Sequence, residues 1–186
     1  VMFSPWTSPH LNFWIMMTCS GATLTLLTCW ARPGWWKDIH MGISDIVMGV
    51  ALAAALWGVF WLGEYLSTLM FDFARPQVDM IYGMKEGENP LVLTLLMLLI
   101  IGPAEEIFWR GLIQNRLSAR WNPNIGFVLT TLVYGLVHLP KFNFMLIMAA
   151  MVAGFIWGLV YRFLPNRLGA IIISHALWDC AVFIWF

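Results

Sequence analysis

The sequence is short of charge. Only 11% of its 186 residues are Asp, Glu, Lys or Arg, against about 25% in soluble domains. Acidic and basic residues number ten each, so the chain lacks the basic excess typical of proteins that bind nucleic acids. The three cysteines show no C-x-x-C spacing, which argues against a disulfide framework or a thiolate metal site. The helical H-E-x-x-H metal motif is also absent.

Apolar residues take the place of the missing charge. They make up 61% of the chain, and the mean hydropathy is +0.77. Six apolar runs, each near the length needed to cross a bilayer, are separated by turn residues. We therefore predict an all-α polytopic membrane helix bundle that forms a single domain over residues 1–186. The predicted spans are 11–31, 44–71, 90–119, 125–138, 144–163 and 168–186.

Some segments between and within these spans have predictable character. Residues 1–10 are polar and aromatic, which favours an interfacial start, and no basic segment precedes the first run, so we expect that run to be retained rather than cleaved. Residues 72–89 carry scattered charges and are predicted to form an exposed, mostly acidic loop with at most a short amphipathic turn. Gly102-Pro103 lies inside the third span and predicts a kink or break there.

Two adjacent carboxylates follow the apolar run at residues 91–101. Charge inside an apolar sequence is costly, so it indicates function or pairing. Glu106 and Arg110 are spaced i,i+4 and share a helix face, whereas Glu105 lies about 100° around the helix. We interpret Glu106 and Arg110 as a structural pair and Glu105 as the free carboxylate.

Two further i,i+4 pairs lie on later spans: Tyr134 with His138, and His175 with Asp179. Each pair alone is compatible with a structural role, because intramembrane histidines often bond to backbone or to a neighbouring acid. Tyr134 is expected to pack, and Glu64 in the second span is expected to reach the interface. The occurrence of three such pairs on three membrane helices is difficult to assign to packing alone.

The three motifs occur in one order: Glu-Glu-x-x-x-Arg at 105–110, Tyr-x-x-x-His at 134–138 and His-x-x-x-Asp at 175–179. This order resembles the CPBP family of intramembrane proteases, which includes the type II CAAX prenyl endopeptidases and related bacteriocin-processing or immunity proteins. The stretches 154–162 and 168–176 are also similar, and the resemblance covers about residues 95–182. Tyr134 replaces the usual phenylalanine, and Asp179 replaces the more common asparagine.

The resemblance implies an intramembrane endopeptidase with a polar active-site cavity that opens within the membrane. Glu105 is our choice for the base, assisted by His138 in activating water, and the resemblance implies the same roles. It also implies that His175 and position 179 stabilise the oxyanion. An ionised aspartate cannot donate a hydrogen bond, so Asp179 is expected to accept from His175 and to favour its charged form.

Several alternatives stay open at this point. No cofactor or metal is expected, but Glu105, His138 and His175 match the ligand types of a catalytic zinc site. A non-catalytic immunity or peptide-binding scaffold protein, or a proton-coupled transporter, would use the same polar groups. The expected partners are membrane lipid and a peptide of prenylated CAAX type or bacteriocin-like type, without nucleic acid. The expected location is a bacterial inner (plasma) membrane, and the oligomeric state is not readable.

The role assigned to Asp179 is testable by the Asp179→Asn variant. If Asp179 only orients His175, asparagine can accept the same hydrogen bond and much of the peptidase activity should remain. The measurement is the cleavage rate of a membrane peptide by the purified parent and variant. Complete loss of activity with the fold intact would contradict the orienting role.

Overall fold

The computed structural model describes residues 10–185, and no β-strand occurs in that part of the chain. The interfacial start predicted for residues 1–10 therefore lies almost wholly outside the described residues. Six helices of the described chain are long and apolar enough to cross a membrane, which confirms the all-α polytopic bundle. The helices are α1 (Phe13–Ala31), α2 (Ile43–Met70), α3 (Ala74–Tyr82), α4 (Pro90–Arg120), α5 (Pro123–Leu136), α6 (Phe144–Phe163) and α7 (Leu168–Cys180).

Asparagine side chains cap the N-termini of four of the spanning helices. In each case the side-chain oxygen accepts a hydrogen bond from a backbone N–H of the first turn, which satisfies a donor that has no partner inside the helix. Proline at the first position of α4 and α5 adds a preset backbone angle. These caps explain why the apolar runs become helices at the observed boundaries. The capping residues are Asn12, Asn89, Asn122 and Asn143.

The segment predicted as an acidic loop contains the nine-residue helix α3, so that prediction is wrong for residues 74–82. Val78 and Ile81 face inward and are buried, and the Tyr82 hydroxyl donates to Glu64 Oε2 of α2 at 3.1 Å. Burial, followed by the negative charge of Glu64, raises the pKa of Tyr82 to about 12, so the hydroxyl remains a donor at physiological pH. This short helix is stabilised by packing against the bundle, and the local sequence pattern gives no information about that packing.

Helix α4 runs through Gly102-Pro103 as the single span predicted over residues 90–119, so of the expected kink or break the break is excluded. The chain instead widens into a π-helical turn at Met97–Ile101, directly before the proline, and again at Ile107–Gln114. A wider turn accommodates a proline that lacks the N–H for the usual i to i−4 bond. The two glutamates therefore sit on a continuous helix of 31 residues. At 1.5 Å per residue this helix is about 46 Å long, so it must tilt or protrude from the bilayer.

Close backbone approaches set the position of α7 within the bundle. A Cβ atom added to Gly102 of α4 would lie 2.9 Å from Cα of Ala176 in α7, and one added to Gly49 of α2 would lie 2.8 Å from the carbonyl oxygen of Ala170. Small residues allow membrane helices to approach this closely. Helix α7 is accordingly the most buried spanning helix of the described chain, and it meets α4 beside the glutamates.

A third close approach predicts the effect of Gly154→Ala. A Cβ atom at Gly154 would lie 2.7 Å from the ring of Tyr134, and overpacking of this kind costs about 1–3 kcal/mol. We expect the thermal midpoint in detergent to fall by several degrees. Gly58→Ala is the control, because nothing lies within 4 Å of its added Cβ and alanine is the better helix former. Equal midpoints for the two variants would contradict the tight α5–α6 packing.

Candidate active site

The four residues predicted to act in catalysis line one cavity. Glu105, His138, His175 and Asp179 face a space of about 930 Å³ between the membrane helices, within the range of about 300–1,000 Å³ usual for small-molecule sites. Most of the remaining wall is aromatic, aliphatic or methionine side chain. The cavity therefore places a small polar group inside an apolar enclosure.

Glu105 is held by a tyrosine. The Tyr134 hydroxyl donates to Glu105 Oε2 at 2.9 Å, and the Tyr134 ring lies edge-on to Trp109 and 5.0 Å from the guanidinium carbon of Arg110. The expectation that Tyr134 serves only for packing is therefore corrected. The contact joins residues 29 positions apart, which helical spacing does not reveal.

His138 lies in the turn that follows α5. Its Nδ1 is 2.9 Å from the carbonyl oxygen of Tyr134. A carbonyl oxygen only accepts hydrogen bonds, so Nδ1 must carry the proton. In the neutral ring the lone pair then resides on Nε2, which makes that nitrogen the basic one.

Glu106 joins two helices through one oxygen. Its Oε1 accepts from Arg110 Nη1 at 2.6 Å and from His175 Nδ1 at 2.6 Å. Arg110 also donates through Nη2 to the carbonyl oxygen of Gly154 at 3.0 Å, and both Glu106 and Arg110 are fully buried. The pair of Glu106 with Arg110 matches the sequence interpretation, but the bond to His175 spans 69 positions and was not predicted.

His175 is held on three sides. Besides Glu106 at Nδ1, its Nε2 lies 3.5 Å from Asp179 Oδ2, and its ring stacks on Trp157 with centroids 4.0 Å apart. The Trp157 indole N–H donates to Ser174 Oγ at 3.1 Å. Sequence reasoning missed Trp157, although it lies in the stretch 154–162 that resembles the protease family.

A second missed residue is Glu64 of α2. It was expected to reach the interface, but it lines the same cavity as the four predicted residues. Tyr82 donates to one of its oxygens, and Arg75 lies 3.4 Å from the other. Both partners come from α3, the helix that the sequence pattern did not predict.

The zinc alternative requires three ligands that converge on one point. Among residues 10–185, no three side chains of His, Cys, Asp or Glu are grouped as metal ligands. The two ring nitrogens of His175 already face the carboxylates of Glu106 and Asp179. A zinc ion bound by Glu105, His138 and His175 would have to displace one of these carboxylates from His175.

A comparison with known protein families matches residues 87–181 to the type II CAAX prenyl endopeptidase Rce1-like family. The matched residues are about half of the 186-residue chain. The chain belongs to this family. The Rce1-like segment contains α4–α7 and all three motifs, whereas α1–α3 lie outside it. No curated protein and no solved structure matches the chain. The protein is thus an integral membrane member of a family of CAAX-type intramembrane proteases.

The buried ion pair of the Rce1-like segment predicts that Arg110→Lys is strongly destabilising. Lysine is a point charge and cannot bind Glu106 and the Gly154 carbonyl through one planar fork. Breaking a buried ion pair lowers the free energy of unfolding by roughly 3–5 kcal/mol. We expect Arg110→Lys to lose much of this amount, measured as a lower thermal midpoint in detergent.

Arg75→Lys is the matched control for this substitution. Arg75 forms ion pairs with Glu64 and Asp79, and its side chain is 65% exposed. Exposed ion pairs contribute at most about 1 kcal/mol to stability. A midpoint for Arg110→Lys as high as that of Arg75→Lys would show that the buried fork is dispensable.

Proposed function

We propose that this protein is an intramembrane endopeptidase that hydrolyses a peptide bond of a membrane-associated peptide, with a prenylated CAAX-type peptide as the first candidate substrate. The observation that carries this proposal is the single apolar-walled cavity shared by Glu105, His138, His175 and Asp179. Its apolar walls suit a lipid-modified chain, and its polar groups suit hydrolysis. Membership of the Rce1-like family supports the same reaction class.

Glu105 and His138 activate the attacking water in this proposal. The Tyr134 hydroxyl orients the Glu105 carboxylate, which takes the proton, while the bond from His138 Nδ1 to the Tyr134 carbonyl makes Nε2 the nitrogen that accepts a hydrogen bond from the attacking water. Tyr134 thus holds both groups, one through its hydroxyl and the other through its backbone.

The reaction proceeds by addition and elimination. The water oxygen bonds to the carbonyl carbon of the scissile peptide, one water proton passes to Glu105, and the carbonyl oxygen becomes an oxyanion. The carbon–nitrogen bond then breaks, and Glu105 returns the proton to the leaving amine. The products are a free carboxyl group and a free amine, and the enzyme regains its starting protonation.

His175 stabilises the oxyanion as a hydrogen-bond donor. Glu106 and Asp179 flank its two ring nitrogens, an arrangement that accommodates an imidazolium with both N–H groups donating. In the transition state the oxyanion accepts a hydrogen bond from Nε2–H, which lies 3.5 Å from Asp179 Oδ2, while Glu106 and the stacked Trp157 hold the ring in place. Asp179 is then a positioning residue, in keeping with its acceptor-only chemistry when ionised.

The proposal needs no metal or other cofactor, because Glu105 and His138 supply the base and His175 supplies the oxyanion donor. Its partners are the surrounding lipid and the peptide substrate, and it involves no nucleic acid. The proposed location is a bacterial plasma membrane, in keeping with the short loops between the helices.

The central test compares Glu105→Gln with the parent on a farnesylated CAAX peptide and on the same peptide without the lipid, in liposomes. Loss of the base should reduce the cleavage rate by about 10²–10⁴-fold, measured by mass spectrometry of the products. Glu86→Gln is the matched control, since Glu86 is exposed in the loop before α4, and it should cleave at the parental rate.

Two results would overturn parts of the proposal. Equal cleavage by Glu105→Gln and Glu86→Gln would remove Glu105 from the mechanism, and loss of parental activity in chelator with recovery in zinc would establish a metal. The farnesylated peptide is also labelled with a fluorophore to measure binding. If it binds the parent protein but no peptide is cut, a peptide-binding scaffold role replaces the proposed protease activity.

A further inference from the structure

A second, smaller cavity lies between α1, α4 and the end of α5. Its volume is about 220 Å³, and Ser20, Gly21, Leu24, Trp109 and Val137 contribute to its wall. We call this cavity the α1 cleft. Helix α1 lies outside the segment matched to the Rce1-like family, so the cleft is formed in part by residues that the family match does not cover.

The α1 cleft and the main cavity meet at the reacting groups. Glu105, Tyr134 and His138 line both spaces. The proposed base and its histidine partner are therefore accessible from two sides, one facing the large apolar cavity and the other facing α1.

The α1 cleft has the properties of a water site. A buried water needs two to four polar partners and occupies about 30 Å³ in the liquid, so the cleft has room for several. Its wall offers four polar side chains: Ser20, Glu105, Tyr134 and His138. Three of these, Glu105, Tyr134 and His138, also face the main cavity, which is much larger and has the long apolar wall that suits a lipid-modified chain.

Helix α1 is fixed against the site helix at the cleft. A Cβ atom on Gly21 would lie 3.2 Å from Cβ of Ala104, the residue before Glu105. The Trp14 indole N–H donates to the carbonyl oxygen of Met84 at 3.0 Å and anchors the start of α1. The α1 and α4 walls of the cleft are consequently packed helices, and the turn with Val137 and His138 closes it at the end of α5.

We propose that the α1 cleft holds and supplies the water that Glu105 and His138 activate, while the peptide occupies the main cavity. Hydrolysis consumes one water for each bond cut, and a peptide with a lipid group that fills the main cavity displaces water from that side. A separate route lets the substrate and the water approach the same carboxylate from different directions. This inference rests on the proposed peptidase function.

The hydration of the cleft is measured first, independently of cleavage. Ser20→Cys and Ala22→Cys are made in a Cys19→Ala, Cys29→Ala background, in which the buried Cys180 remains in both proteins. The two sites differ by about 3 Å in depth along α1, but Ser20 lines the cleft and Ala22 is exposed on the outer face of the helix. The probe is a charged, membrane-impermeant methanethiosulfonate applied to the protein in liposomes.

Because the thiolate is the reactive form and requires water, Ser20→Cys should be modified at least about tenfold faster than Ala22→Cys. Equal rates would overturn the proposal that the cleft holds water. This result does not depend on peptide cleavage, so failure of the water route and failure of the peptidase function are distinguishable.

The supply of the nucleophile is measured with Ser20→Leu, which fills the cleft with apolar volume, against Ala22→Leu on the outer face of α1. Loss of the water supply should lower kcat for the farnesylated peptide by at least about tenfold and leave KM within about twofold. Ala22→Leu should retain the parental values. Unchanged kcat in a folded Ser20→Leu protein would overturn the route even if the cleft is hydrated.

Discussion

The bundle depends on one buried carboxylate. Glu106 binds Arg110 on its own helix and His175 on α7 through the same oxygen, and neither Glu106 nor Arg110 is exposed. The free-energy cost of burying an ion is offset only when its partners are held in good geometry. The bilayer core contains no water that could serve as an alternative hydrogen-bond partner. The register of α4 against α7 is therefore specified by this contact, which the close approach of Gly102 to Ala176 permits.

The adjacent glutamates have separate environments because a helix turns by about 100° per residue. Glu106 points into the bundle and fixes its structure, whereas Glu105 faces both cavities and is oriented by Tyr134. The hydroxyl of Tyr134 is the group that the usual phenylalanine of the family pattern would not provide. In this chain the residue at that motif position, Tyr134, therefore hydrogen-bonds directly to the proposed base, Glu105.

The chemistry and its enclosure come from different parts of the chain. The motif residues lie within the Rce1-like segment 87–181, but the walls around them come in large part from α1, α2 and α3. Glu64 of α2 and its partners Arg75 and Tyr82 border the main cavity, and Ser20 of α1 borders the cleft.

The sequence alone determined the spanning helices and the three motifs, because hydropathy, asparagine caps and i,i+4 spacing are local properties. It did not reveal helix α3 or the π-helical turns that carry α4 past Pro103, since tertiary packing and local backbone geometry decide these. Only the tertiary structure decided that His175 binds Glu106, that Tyr134 binds Glu105 and that Glu64 faces the main cavity. Each of these relations depends on how separate helices meet, and helix periodicity carries no information about distant partners.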